Sequence, residues 1–337
     1  MKLIIVTLLL SCFYLPIYAQ TPEYYYDKGM ETFEVKNYEK AIQFLNRAIE
    51  LKADYVDAYH LRGASKSQLM TYEAALVDYS KAIELDSTIV EIYYGRGRVK
   101  TILGEDESAI SDYMKIIKLD PAFFDVYNAI GNNMRRLNRE EEAIKFYTKE
   151  IRINPTNYHA LYNRGVLKNA LGDAESAMED YHKVLEINPK DLFTYQKMGE
   201  IKRILGKYEE AIKDFNTAIE IDPKVWYPYN SRGMAKDAQG DYEGALEDFN
   251  TTIKLDFKQA YPYNNRGYTY YHLKNYEAAL RDCTYSLELN DTNSYAYYYR
   301  GLILYELKKT EEACQDFYKA KELGYPKMGD VLEKYCK

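Results

Sequence analysis

Between Leu192 and Val225 the apolar positions keep to one helical face twice over. Tyr195, Met198 and Ile201 lie three apart; beyond Gly206, Tyr208 opens a second series through Ala211, Ile212, Phe215, Ala218 and Ile219. That spacing predicts two amphipathic helices separated by a tight turn. The same frame recurs without insertion along the chain. Glycine stands at 29, 63, 97, 131, 165, 199, 233, 267 and 301, every interval being 34, and alanine follows each glycine by twelve residues, from Ala41 to Ala313. A fixed period of this length predicts stacked helix pairs rather than one large core. The units begin near 22, 56, 90, 124, 158, 192, 226, 260 and 294, and the array occupies residues 22–327. Pro121, Pro155, Pro189 and Pro223 fall where a unit must stop. Pro228 and Pro262 fall in the first turn of a helix, where a missing N–H costs little.

A glycine in mid-helix costs about 1 kcal/mol relative to alanine, so nine of them sacrifice on the order of 9 kcal/mol of helix propensity. The loss is explained by a backbone crossing at which any side chain would collide, with the recurring alanine on the opposite helix. Each unit is therefore expected to be an antiparallel pair packed at Gly and Ala. The pattern resembles the tetratricopeptide repeat, whose frame runs aromatic-x2-Leu-Gly-x2-Tyr, then Ala-x3-Phe, then Pro. Tyr25, Tyr59, Tyr93, Tyr127, Tyr195, Tyr229, Tyr263 and Tyr297 take the first aromatic position, and Leu161 departs from it. The aromatic after alanine is Tyr79, Tyr113, Tyr147, Tyr181, Phe215, Phe249 and Phe317, with Leu45 and Cys283 as exceptions. The resemblance implies an all-α fold: a right-handed superhelical solenoid of nine 34-residue helix-turn-helix repeats. It also implies that the first helices line a concave groove that receives peptides or helices from partners.

Two departures from the family frame are informative. The Leu before Gly is often arginine (Arg62, Arg96, Arg164, Arg232, Arg266, Arg300), and the later Tyr is often lysine (Lys66, Lys100, Lys168, Lys202, Lys236). These positions are four apart and share a helix face. The second helix carries aspartate at 78, 112, 180, 214, 248, 282 and 316. An Arg/Lys–Asp bridge between the helices of a unit is expected, exchanged for an apolar contact in the fourth unit, where Ile130, Met134 and Phe146 stand at the three places.

The ends of the chain break the frame. Lys2, an apolar run from Leu3 to Leu10, Pro16 and small Ala19 have the order of a secretory signal peptide, so residues 1–19 are expected to be removed. Leu9-Leu10-Ser11-Cys12 also resembles a lipobox, with Cys12 as the lipidated residue, and a retained membrane anchor is a third reading. The first is favoured, which places the protein outside the cytoplasm, in the periplasm or at the outer membrane, with no membrane span in the mature chain. After Gly324 and Pro326, Met328, Val331, Leu332 and Tyr335 can form one apolar stripe. Residues 328–337 are expected to be a capping helix. Cys336 on it could approach Cys314, a candidate disulfide.

Composition narrows the function. The net charge is −7 and the 45 basic residues are scattered, which argues against nucleic acid. The four histidines, His60, His159, His182 and His272, fall in different units without a metal-ligand partner at helical spacing. Neither a phosphate loop nor a nucleophile elbow is present, and no cofactor cradle can be assembled from the glycines. An enzyme is not expected. Carried over by position, the groove should present Tyr94, Arg98, Asn128, Asn132, Arg135, Tyr162, Asn169, Gln196, Arg203, Asn230, Asn264, Tyr268, Tyr271 and Tyr298. The asparagines and arginines suit extended backbone or a carboxylate. Of the 38 tyrosines, 17 occupy core positions of the frame, while those of the C-terminal groove are not needed by it and suit contact with a ligand. The expected function is a scaffold that binds a protein or peptide. The alternative is a glycan-binding module in which groove tyrosines stack on sugar rings. The pattern sets no oligomeric state.

Overall fold

The structure is a computed structural model that describes residues 21–336, and every regular element among them is a helix. The signal-peptide reading of residues 1–19 and the lipidation site at Cys12 lie outside the described residues. The chain forms two compact units that divide after Leu171.

Unit 1 contains α1 (Pro22–Glu34), α2 (Tyr38–Leu51), α3 (Val56–Gln68), α4 (Tyr72–Leu85), α5 (Val90–Leu103), α6 (Asp106–Leu119), α7 (Val126–Arg136), α8 (Glu140–Ile153) and α9 (Tyr158–Ala170). Unit 2 contains α10 (Ala174–Ile187), α11 (Leu192–Ile204), α12 (Tyr208–Ile221), α13 (Tyr227–Gln239), α14 (Tyr242–Leu255), α15 (Ala260–His272), α16 (Tyr276–Leu289), α17 (Ser294–Glu306), α18 (Thr310–Glu322) and α19 (Met328–Tyr335). Within each unit a helix packs against the one before and the one after it. The first helices of successive pairs also touch: α1, α3 and α5 in turn and α7 with α9 in unit 1, and α11, α13, α15 and α17 in turn in unit 2. The second helices of successive pairs make sparser contact, so each stack curves with its first helices on the inner side.

The turn inside a pair needs one left-handed residue, and it recurs every 34 residues. Glycine fills it at 104, 172, 206 and 240; Lys36, Met70, Asn138, Lys274 and Lys308 adopt the same positive φ. Second helices then start from caps such as Asn37, Asp241 and Asn275, whose side chains accept the amide three residues on.

The crossing of the two helices differs in detail from the expected Gly–Ala contact. The recurring alanines are fully buried, but a Cβ added at glycine 29, 63, 97, 131, 199, 233, 267 or 301 would lie nearest to an atom of the residue sixteen positions on. A Cβ on Gly131 would lie 2.5 Å from the Tyr147 ring, and one on Gly199 2.6 Å from Phe215. The glycine thus makes room for a ring lying flat on the first helix; alanine lets the backbones come close enough for that ring to reach.

Arginine joins these pairs into a stack. Arg96 donates through Nε and Nη2 to the two carboxylate oxygens of Asp112, at 2.9 and 2.7 Å. Its Nη1 donates to Ser80 on α4, the second helix of the preceding pair, and its guanidinium lies over the Tyr93 ring at 5.8 Å. Lys100 adds a contact to Asp112 at 2.8 Å. Arg62 bridges Asp78 and Asn46 in the same way, Arg232 bridges Asp248 and Asn216, and Arg266 bridges Asp282 and Asn250. Arg300 pairs with Asp316, and in the sixth repeat Lys202 alone meets Asp214 at 2.7 Å. In the fourth repeat Ile130 and Met134 are buried and Phe146 packs against them, as the apolar exchange requires.

At the C-terminal end α19 lays Met328, Val331, Leu332 and Tyr335 on the last pair, and Cys314 and Cys336 are joined as a disulfide with Cα atoms 5.6 Å apart. No helix among the described residues is long and apolar enough to cross a membrane.

Asp112 is 4% exposed and holds two cations, so Asp112→Ala should strand both and cost about 3–5 kcal/mol in chemical denaturation. The triple change Arg96→Ile, Lys100→Met and Asp112→Phe copies the fourth repeat and should cost less than about 1.5 kcal/mol. Equal losses in the two proteins would refute the exchange.

Candidate inner-face binding site

First helices supply the inner face of each stack, and the side chains placed there divide into two groups. One group lies in the seam between neighbouring first helices. In unit 1, the Asn163 Nδ2 donates to Asn128 Oδ1 at 3.2 Å and to Asn132 Oδ1 at 3.1 Å. Asn132 Oδ1 accepts a further bond of 2.8 Å from the Tyr147 hydroxyl. In unit 2, Gln196 Nε2 donates to Ser231 Oγ at 2.7 Å and to Glu200 at 2.9 Å, and Asn265 Nδ2 donates to Asn230 Oδ1 at 3.1 Å. The pairs Asn128–Asn163, Gln196–Ser231 and Asn230–Asn265 are each 35 residues apart, which marks one recurring position of the seam.

Three expected groove residues are corrected by this geometry. Asn128 is 5% exposed, Gln196 4% and Asn264 1%, so none of them offers its amide to a ligand. Their position turns toward the neighbouring first helix, where a polar side chain finds a polar partner. Asn264 goes deeper, hydrogen-bonded to Asn293 at 2.8 Å in a buried set with Ser286. Polar residues recurring 35 apart were the available signal for this seam.

The second group faces solvent. Arg98 and Arg135 are exposed, Arg203 is partly so, and among the described residues none of the three forms an ion pair with a carboxylate. Asn132, Asn169 and Asn230 are partly exposed, as is Tyr162. Asn132 keeps its Nδ2 for the open side because its oxygen is already held by Tyr147 and Asn163. Tyr94 is partly buried against Phe123 and Tyr113, with its hydroxyl 3.5 Å from Asp125. That carboxylate begins α7 from a left-handed conformation, and the buried Glu150 accepts from the amides of Asn128 and Asp125 and from Asn157. Burial raises the Glu150 carboxyl above its ordinary range.

The tyrosines of unit 2 largely serve one another. Tyr268 and Tyr299 stack with centroids 4.3 Å apart, Tyr298 and Tyr325 do the same at 4.3 Å, and Tyr271 lies parallel to Tyr268 at 6.2 Å. Tyr298 therefore has one ring face covered by Tyr325, in the turn between α18 and α19. Desolvation lifts the Tyr271 phenol to about 12 and raises that of Tyr268, so both rings are neutral donors at pH 7.

Matches to the tetratricopeptide repeat family cover residues 22–55, 90–123, 124–157, 158–191, 193–225, 260–293 and 295–327, and a TPR repeat match covers 238–274. The chain belongs to the tetratricopeptide-repeat family. No curated protein matches it. A tetratricopeptide repeat protein from Parabacteroides merdae is 24% identical, with 74% of this chain and 99% of that one covered at a TM-score of 0.62. The C-terminal part of a TPR repeat-containing protein from Cytophaga hutchinsonii is 19% identical, covering 71% and 98% at 0.60. The Cut9–Hcn1 assembly of the APC/C is 15% identical, covering 94% and 76% at 0.62. Identities this low speak for the fold alone.

For this tetratricopeptide-repeat protein, inner-face residues are therefore to be sought where the frame leaves a side chain without an internal partner. Among the described residues no group of three or more His, Cys, Asp or Glu side chains is arranged to hold a metal. Asp237 and Tyr299 were not anticipated. Asp237 is the one acid at its repeat position, where the other repeats carry Phe33, Ser67, Thr101, Arg135, Asn169, Arg203, Tyr271 and Tyr305.

Removing the seam and removing the face should have separable effects. Asn163→Ala leaves the buried Asn128 oxygen without a donor and should cost about 1–3 kcal/mol in urea denaturation. Arg98→Ala and Arg135→Ala should each stay within about 0.5 kcal/mol of the parent.

Proposed function

We propose that this protein is a non-enzymatic adaptor that binds an extended segment of a protein partner on the inner, first-helix face of its repeats. The observation that carries the reading is the pairing of held amides with unpaired cations in unit 1. Asn132 is oriented by Tyr147 and Asn163, and Arg98 and Arg135 are exposed on first helices of the same unit, paired with no carboxylate among the described residues. An oriented amide suits a peptide backbone, and a free guanidinium suits a carboxylate of the bound segment. Because the donors are fixed before binding, little conformational entropy is lost in forming the complex.

The reading includes export to the cell envelope. Its supports are the charged-then-apolar order of residues 1–19 and the paired state of Cys314 and Cys336, which suits an oxidising compartment. Tyr268 with Tyr299, and Tyr298 with Tyr325, each cover one ring face of the other, which breaks up the row of open faces that a sugar chain would stack on, so the adaptor reading is preferred to a glycan-binding one.

Panning a displayed dodecapeptide library against the full chain should enrich sequences that carry a carboxylate. The double variant Arg98→Ala, Arg135→Ala should weaken their binding at least tenfold, as read by isothermal titration, with the unfolding midpoint unchanged. Absence of enrichment, or equal binding by the double variant, would remove the proposed face.

A further inference from the structure

A cavity of about 150 Å³ opens on the inner face of unit 2, bounded by Met234, Asp237, Phe249, Asn265, Tyr268 and Tyr299. Its walls are aromatic and thioether surface; its charge is a single carboxylate. Asp237 Oδ1 accepts from the Thr269 hydroxyl at 2.7 Å, and no lysine or arginine among the described residues pairs with this carboxylate. Among the described residues, the one cationic influence that reaches it is that of His272, a residue stacked on Tyr242 and set edge-on to Tyr268. Every aspartate whose second-helix bridge was described above has a guanidinium or an ammonium against it. Unlike those aspartates, Asp237 has none among the described residues.

Packing does not explain the charge. At the equivalent place in unit 1, Thr101 and Asn133 form the corresponding link, with the Thr101 hydroxyl donating to Asn133 Oδ1 at 3.0 Å. Both links join residues 32 apart on neighbouring first helices, so a neutral pair holds this seam as well as a charged one. A partly buried carboxylate without a counter-charge works against its own desolvation, and burial raises the Asp237 carboxyl accordingly. The cost is offset if the counter-charge arrives with a ligand.

We propose that the Asp237 cavity receives an arginine side chain of the partner segment, its stem against the Tyr268, Tyr299 and Phe249 rings and its guanidinium on the Asp237 carboxylate. An arginine has the required form, an apolar stem with a planar charged end that stacks on aromatic faces and forks onto a carboxylate. Asn265 closes the rim as a neutral wall, its Nδ2 donating to Asn230 and its Oδ1 accepting from Asn264 at 2.9 Å. The inference rests on the inner face being the binding surface, and it assigns unit 2 the recognition of a basic residue.

The test uses the full chain with isotope-labelled tyrosine and two probes that differ only in charge, N-acetyl-arginine methylamide and its citrulline counterpart. Titration followed by NMR should show saturable shifts of tyrosine ring signals with the arginine probe, and at least tenfold weaker binding of citrulline. Asp237→Asn keeps the oxygen that Thr269 needs, so the fold should persist with an equal or higher unfolding midpoint while arginine affinity falls about tenfold, as expected for one charge-assisted bond. Equal binding of the two probes, no saturable shift, or an unchanged affinity in Asp237→Asn would overturn the proposal. So would binding of cellotriose to the same tyrosines that ignores Asp237→Asn, which would assign the cavity to a neutral sugar. Peptides that bind through Arg98 and Arg135 with no arginine preference here would leave the adaptor reading standing without this pocket. Arginine binding at Asp237 with no peptide binding at Arg98 and Arg135 would do the reverse.

Discussion

The guanidinium at the seventh position of the repeat is the contact on which the stacks depend. In Arg62, Arg96, Arg232 and Arg266 one planar group satisfies an aspartate sixteen residues ahead, a polar residue sixteen behind and a tyrosine ring three behind. It therefore ties together the two helices of its own pair and the second helix of the pair before. A fork of fixed geometry can meet all three partners in one register only, which converts a repeat in sequence into a repeat in space. Partial exposure of the arginines, 16–23% of the side chain, keeps their desolvation modest, while the aspartates are nearly sealed.

That network could form only because the helix pairs approach closely. Glycine opposite a flat ring and alanine at full burial bring the backbones near enough for a carboxylate on one helix to reach a guanidinium on the other. Where the charges are missing, in the fourth repeat, Ile130, Met134 and Phe146 fill the same volume, and the start of α7 is altered as well. Asp125 takes a left-handed conformation there, and Glu150 supplies from α8 the acceptors that the shortened helix lacks. Local sequence irregularity is absorbed by side chains while the helix stack continues.

On the inner face the same economy separates structure from recognition. Side chains that find a partner 35 residues away are used up in holding first helices together; Asn128 and Gln196 belong to these. Arg98 and Arg135, with no such partner, are left over by the architecture, and Asp237 joins them in charge, since its link to Thr269 brings it no cation. Their settings differ between the two units: exposed cations and an oriented amide in unit 1, a carboxylate framed by rings in unit 2. A repeat protein built on invariant packing positions can place recognition chemistry nowhere else, because the invariant positions are already occupied by stacking.

The sequence by itself determined the fold. A 34-residue period with fixed glycine, alanine and aromatic positions admits one arrangement, since each position records a contact between helices of the same pair, and the spacing of Arg, Lys and Asp foretold the bridge between them. The capping helix was legible for the same local reason, as an apolar stripe next to a face that a last repeat leaves bare. Tertiary structure decided which polar side chains remain free. Burial of Asn128, Gln196 and Asn264 depends on how far one first helix rotates against the next, a relation between repeats that no position within a single repeat encodes. The mutual stacking of Tyr268 with Tyr299 and of Tyr298 with Tyr325 was hidden likewise, because partners 27 to 31 residues apart meet only once the helices are stacked. The solitary carboxylate of Asp237 was visible as the one acid at its position, but its lack of a counter-charge could be known only when its neighbours were in place.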